Sequence, residues 1–186
     1  MTDAQLSALL IELLALPHET EWVEFKHNND NPQEIGEYLS ALANSAALLH
    51  RATAYIVWGV EDDTHKAPGT TFKPRRAKKG NEPLENWLMR SLEPSVNFQI
   101  HEFSHKGKPV VIFEVPCATH APIRFGGEAY IRVGSVKKRL RDVPTKEAAL
   151  WASFASTPFE VGIAKADVAA PEVLALLDFS GAFDLL

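Results

Sequence analysis

Cysteine is almost absent: Cys117 stands alone among 186 residues. A single thiol excludes an intramolecular disulfide framework and any four-cysteine zinc site within one chain, and it fits a reducing, cytoplasmic setting. Long hydrophobic runs are missing too. Nowhere do 18 consecutive apolar residues occur, so no membrane span is expected. The leucine-rich stretch from Leu6 to Leu16 has no basic flank, is interrupted by Glu12 and ends in Pro17-His18, which reads as an amphipathic helix and not as a secretion signal. There is no G-x-x-x-x-G-K-[ST] loop, so an ATPase would have no phosphate cradle. His101 and His105 are four apart but fall on a strand and its turn, where that spacing makes no helical metal pair. Cys117 has no activating base nearby in sequence and is assigned no catalytic role.

Positive charge is in short supply only on average. The formal net charge is −5, yet Lys73, Arg75, Arg76, Lys78 and Lys79 stand together with no acid among them. Between Arg124 and Arg141, the residues Arg124, Arg132, Lys137, Lys138, Arg139 and Arg141 stand against Glu128 alone. Each block carries +5, which leaves −15 on the other 160 residues when those +10 are set against the total. Clustered Lys and Arg grip phosphate backbones, so the two blocks are read as nucleic-acid-binding segments: Lys73, Arg75, Arg76, Lys78 and Lys79 in the first, and Arg132, Lys137, Lys138, Arg139 and Arg141 in the second. One small basic domain clamps a duplex poorly, and a homodimer is the expected form.

With 46% hydrophobic residues the chain can bury one sizeable core. A main domain is expected over residues 1–156. Residues 157–186 turn alanine-rich and acidic, with a helix predicted from Pro171 to Leu177, and form an extension that either docks on the main domain or leads to a further one. Before it, helix and strand alternate. A helix is predicted over Asp3 to Ala15, a strand over Trp22 to Lys26, and a helix to about Leu49 opened by Asn31 as cap and Pro32 in its first turn. A buried strand follows at Ala54 to Val60, then a polar turn and the first basic block in a loop. Asn81 is read as the cap of a helix from Pro83 to Leu92. Strands over Val96 to Ser104 and Lys108 to Val115 join through His105-Lys106-Gly107. Strands over Pro122 to Phe125 and Glu128 to Val133 join through Gly126-Gly127, Gly134-Ser135 releases the chain into the second basic block, and Pro144 opens a helix to about Ala155.

The segment Glu19-Thr-Glu-Trp-Val-Glu-Phe-Lys26 is the most informative. Val23 and Phe25 point to one face of its strand, and Trp22, Glu24 and Lys26 to the other. An acid and a lysine side by side on one strand can hold a divalent metal and steady a phosphate, or form a plain ion pair on the wet face of a sheet. Asn44 and Ser45, polar within an apolar helix, bond either a neighbouring strand's backbone or, in a functional role, a site residue or a phosphate. Phe72 and Phe125, beside the basic blocks, either stack on bases or anchor their loops in the core.

Taken in order, Glu19-x4-Glu24-Phe25-Lys26, the helix with Ala43-Asn44-Ser45, the strand ending Trp58-Gly59-Val60-Glu61-Asp62, and Tyr130-Ile131-Arg132-Val133-Gly134-Ser135 resemble the Schlafen AlbA-type (AlbA-2) domain. That domain is found in bacterial chains described as transcriptional regulators and in vertebrate Schlafen proteins. The resemblance implies an α+β fold, with a mixed or antiparallel sheet and hairpins packed against two or three helices, that binds DNA or RNA. In some Schlafen members it also implies a metal-dependent endoribonuclease. Carried onto this chain, the carboxylates of such a site fall on Glu19, Glu24 and Asp62, with Asp63 as the close alternative. They would hold Mg²⁺ or Mn²⁺, and Lys26 would stabilise developing charge.

Overall fold

A computed structural model of the chain describes residues 1–16, 19–62 and 64–155. The extension, with its expected helix from Pro171 to Leu177, lies outside them, as does Asp63. The first helix, α1 (Asp3–Leu14), opens on a reciprocal cap: Thr2 accepts from the Gln5 backbone N–H while the Gln5 side chain accepts from that of Thr2. Next come β1 (Val23–Lys26) and α2 (Pro32–Leu48), the latter capped by Asn31, whose side chain accepts from the Gln33 N–H. Strand β2 (Thr53–Trp58) returns parallel to β1, with Glu24 opposite Ile56 and Lys26 opposite Trp58.

The first basic block is not the open loop expected from sequence. It forms a 3-10 turn at Pro74–Arg76 and then a minimal hairpin, β3 (Lys78–Lys79) with β4 (Glu82–Pro83). Lys79 pairs with Glu82, which places Asn81 in the hairpin turn and not at the cap of α3 (Leu84–Ser91), a position that Pro83 takes. After β5 (Leu92–Glu93), the strands β6 (Gln99–His105) and β7 (Lys108–Pro116) pair antiparallel through a two-residue turn. Strands β8 (Arg124–Phe125) and β9 (Glu128–Val133) turn on Gly126 and Gly127, with φ of 58° and 86°, the left-handed values such a tight turn requires. Lys137, Lys138 and Arg139 of the second basic block lie on the strand β10 (Val136–Arg139), antiparallel to β9, before a 3-10 turn and α4 (Pro144–Ala155).

The architecture is α+β, as expected. One mixed sheet has the order β1-β2-β7-β6 and a second, antiparallel, has the order β10-β9-β8-β5. Alternation along the strands divides the first sheet's side chains between two cores. Val23, Phe25, Val57 and Ile112 pack with Leu6, Leu10 and Leu13 of α1 on one face. Ile56, Trp58, Val111 and Phe113 pack with Ile35, Leu39 and Leu42 of α2 on the other. Burying a leucine of this kind contributes roughly 1.5–3 kcal/mol, enough to fix α1 on its face. Helix α2 also meets the second sheet closely. A Cβ on Gly36 would lie 2.0 Å from Cε2 of Phe125, so only glycine lets that ring seat. Among the described residues, no helix is long and apolar enough to cross a membrane.

Candidate functional site

The side of β1 that carries Glu24 and Lys26 is the side α2 covers, because Glu24 and Lys26 share their face with Ile56 and Trp58 of the α2 core. The expected wet face is therefore closed, and Glu24 is 2% exposed. Into the same space comes Arg132 from β9, fully buried at 0% exposure. Its guanidinium bridges the two acids. Nη1 donates to Glu24 Oε2, Nη2 donates to Glu19 Oε2 at 3.1 Å, and Nε donates to the Gly134 carbonyl at 3.4 Å. Glu19 Oε1 accepts the Phe25 backbone N–H at 2.7 Å, and Glu24 Oε1 lies 2.5 Å from Lys26 Nζ. Every oxygen of the two carboxylates thus has a partner.

Charge follows from this packing. Burial drives the Glu19 carboxyl upward, Glu24 beside it adds to the rise, and against the Phe25 N–H and Arg132 the balance is a pKa of about 7. Asp62, exposed on the turn after β2, adds a smaller push in the same direction. Burial opposes the Lys26 ammonium, but Glu24 outweighs it and raises its pKa. The Tyr38 hydroxyl, on α2, is pushed up to about 12 by burial and by Glu24. Lys26 and Lys137 stand over the Tyr38 ring at 4.5 and 4.3 Å, with the Arg132 guanidinium at 5.5 Å.

What aims Arg132 is a set of polar side chains on α2. Strand β8 is only two residues long, so on the side away from β10 the strand β9 lacks a neighbour beyond its start. Ser40, Asn44 and Ser45 supply the missing bonds. Asn44 donates to the carbonyls of Ile123 and Tyr130, each at 2.9 Å, and accepts the Ile123 N–H at 2.7 Å. Ser40 accepts the Tyr130 N–H at 3.0 Å and donates to the Ile123 carbonyl at 2.7 Å, and Ser45 accepts the Arg132 N–H at 3.0 Å. Of the two readings of Asn44, the bond to a neighbouring backbone is the one found.

Several basic residues named from sequence are engaged within the fold. Arg132 is a correction: register puts it opposite Lys137, on the face that meets α2 and β1, where no phosphate backbone reaches it. The Arg75 backbone N–H donates to Glu102 at 3.1 Å, and its guanidinium donates to the Ile100 carbonyl at 2.9 Å. Lys137 pairs with Glu37 at 2.5 Å, and Arg141 with Glu128 at 2.9 Å. Lys73, Arg76, Lys78, Lys79, Lys138 and Arg139 are exposed and make no ion pair among the described residues. Lys138 and Arg139 line an open pocket of about 530 Å³ with Glu37, Tyr130, Lys137 and Asp142. Phe72 and Phe125 are not available for stacking: Phe72 packs 5.0 Å from Trp58, and Phe125 packs 5.5 Å from Trp87 against Gly36.

Among the described residues, the divalent ion implied by the resemblance finds no fitting donor set. Glu19 and Glu24 come together but are saturated, and among the described residues no three His, Cys, Asp or Glu side chains are grouped to hold a metal. Sequence reasoning missed Glu37 and Tyr38, the α2 partners of the cluster. Both lie in the second turn of α2, where Tyr38 meets Lys26 of β1 and Glu37 meets Lys137 of β10 and Tyr130 of β9. It also missed Glu21, which accepts the Gly134 N–H at 2.9 Å and pairs with Lys146 of α4 at 2.6 Å.

Comparison with known proteins follows the same residues. The family model described as "Schlafen, AlbA_2" matches residues 19–141, which contain all of the side chains of the cluster. A comparison with curated proteins gives no match. Among solved structures, the DIP2311 protein of Corynebacterium diphtheriae is 19% identical with a TM-score of 0.43, over 73% of this chain and 26% of that one. This chain thus corresponds to about a quarter of that protein's length. The N-terminal domain of a Nitrosomonas europaea protein described as related to the ATP-dependent DNA helicase RecG is 24% identical with a TM-score of 0.45, over 71% of this chain and 90% of that one.

Proposed function

The chain belongs to the Schlafen AlbA_2 family, and from that premise we propose that it binds the phosphate backbone of DNA or RNA through the exposed cations of its two basic segments. The observation that carries this reading is the pair Lys138 and Arg139. Both are exposed on β10 beside an open pocket and lack a carboxylate partner among the described residues, although −15 of charge is distributed over the rest of the chain. Lys73, Arg76, Lys78 and Lys79 extend the same chemistry beside α3, with Lys79 standing 5.7 Å over the Trp87 ring. Lysines and arginines left free of acids are the groups that release counterions from a nucleic acid, which supplies affinity without sequence readout. A role in transcriptional regulation would follow from a duplex DNA target.

The test is fluorescence anisotropy with labelled duplex DNA, single-stranded DNA and hairpin RNA of equal length. Lys138→Ala with Arg139→Ala is expected to weaken binding about tenfold on every sequence of the preferred class, since phosphate contacts position and do not specify. The stoichiometry of the complex, one chain or two per nucleic acid, reads out a two-fold grip. Unchanged affinity in the double variant would remove β10 from the interface.

A further inference from the structure

We propose that Arg132 is the resident cation of the Glu19–Glu24 pair, standing where a divalent metal would otherwise be held and making the cluster an internally neutralised staple between β1 and β9. Glu19 directs Oε1 at the Phe25 N–H and Oε2 at Arg132; Glu24 directs Oε1 at Lys26 and Oε2 at Arg132. The two oxygens that converge on one point are therefore both taken by the two arms of one guanidinium. A metal ion at that point would need the same oxygens at about 2.0–2.6 Å, in space the guanidinium fills.

Two buried carboxylates cannot be left without a counter-charge, because an unpaired buried charge costs several kcal/mol. A guanidinium meets that need permanently, since it does not deprotonate at any physiological pH, whereas a bound ion dissociates. Arg132 is also placed by the backbone and not only by the acids. Ser45 holds its N–H, and the Gly134 carbonyl accepts its Nε, so the side chain reaches the cluster already aimed. The cation thereby ties β1 of the first sheet to β9 of the second, and it leaves Lys26 and Lys137 at the rim, at 20% and 16% side-chain exposure. This arrangement is independent of what the basic segments bind.

The experiment is thermal unfolding of the full chain with and without 1 mM Mn²⁺, with calorimetric titration of the same ion. The parent protein is expected to show no shift in Tm. Arg132→Ala frees two converging carboxylate oxygens, and with Mn²⁺ its Tm is expected to rise by about 5 °C or more at one ion per chain. Adding Glu24→Gln to Arg132→Ala should abolish that response, and Arg132→Lys, which keeps a cation in place, should show none. Should the alanine variant fail to fold, Arg132→Met fills the space of the stem and carries the same comparison. A Mn²⁺-dependent shift in the parent protein that Glu24→Gln removes would overturn the proposal. So would a folded Arg132→Ala or Arg132→Met protein indifferent to the ion.

Discussion

Glu19 shows how much one side chain's protonation depends on its neighbours. Its carboxyl accepts a backbone N–H and faces a guanidinium, both of which favour the anion, yet burial and the adjacent Glu24 prevail and push its pKa up to about 7. The sign for stability follows. Below pH 4.5 the group is neutral in both folded and unfolded chains. Between 4.5 and 7 the unfolded chain releases the proton while the folded one retains it, so stability falls as pH rises, by roughly 3 kcal/mol, and levels off above 7. Glu19→Gln cannot titrate. The difference in urea midpoint between the parent and Glu19→Gln should therefore change in the variant's favour as pH is raised from about 5 to 8, and a constant difference would contradict the assignment. At this scale Glu19, Glu24 and Lys26 were legible in the sequence as one polar group. Arg132 was not, because it was counted with the basic residues between Arg124 and Arg141, and only the β9–β10 register, which sets it opposite Lys137 on the inward face, separates it from the exposed ones.

Helix α2 acts on β9 as a strand would. Ser40 and Asn44 are one turn apart, so both project from one stripe of the helix, and together with Ser45 they bond the backbone of Ile123, Tyr130 and Arg132. Removing Asn44 leaves the Ile123 N–H and the Tyr130 carbonyl without their partner in a buried setting. At 1–3 kcal/mol for each unsatisfied group, Asn44→Ala should destabilise the protein by about 3 kcal/mol, and the Ile123 amide should exchange with deuterium faster than the β7 amides do. A loss below about 1 kcal/mol in urea unfolding would show that α2 is not the element that holds β9. The helices that begin at Asn31-Pro32 and Pro144 were readable from their caps and prolines, and the Gly126-Gly127 hairpin from its turn residues. Strands β3, β4 and β5 were not readable, since two residues are too few to alternate. Strand β10 was hidden for a different reason: Val-Lys-Lys-Arg offers no apolar alternation, and its pairing comes from β9 alone.

The exposed cations lie in two separate places. In the order β10-β9-β8-β5 the second block contributes the β10 edge, while the first stands beside α3, where Lys79 lies over Trp87 and Trp87 meets Phe125 of β8. The sequence made the segregation legible but overstated its reach. Arg75, Arg132, Lys137 and Arg141 answer to partners inside the fold, which leaves Lys73, Arg76, Lys78, Lys79, Arg124, Lys138 and Arg139 exposed and unpaired among the described residues. Affinity for duplex DNA should then fall with salt with a logarithmic slope of magnitude up to about 6, from roughly 0.9 per neutralised phosphate. Replacing Lys138 and Arg139 by alanine should flatten the slope by about 2, and replacing Lys73 and Lys78 should do the same independently, because distant phosphate contacts release their counterions separately. Lys137→Ala should leave the slope nearly unchanged, since that ammonium already neutralises Glu37 at 2.5 Å. A titration between 50 and 200 mM salt in which Lys137→Ala flattened the slope as much as the Lys138 and Arg139 pair would mean that Glu37 gives up its partner on binding and that Lys137 holds phosphate beside the exposed pair.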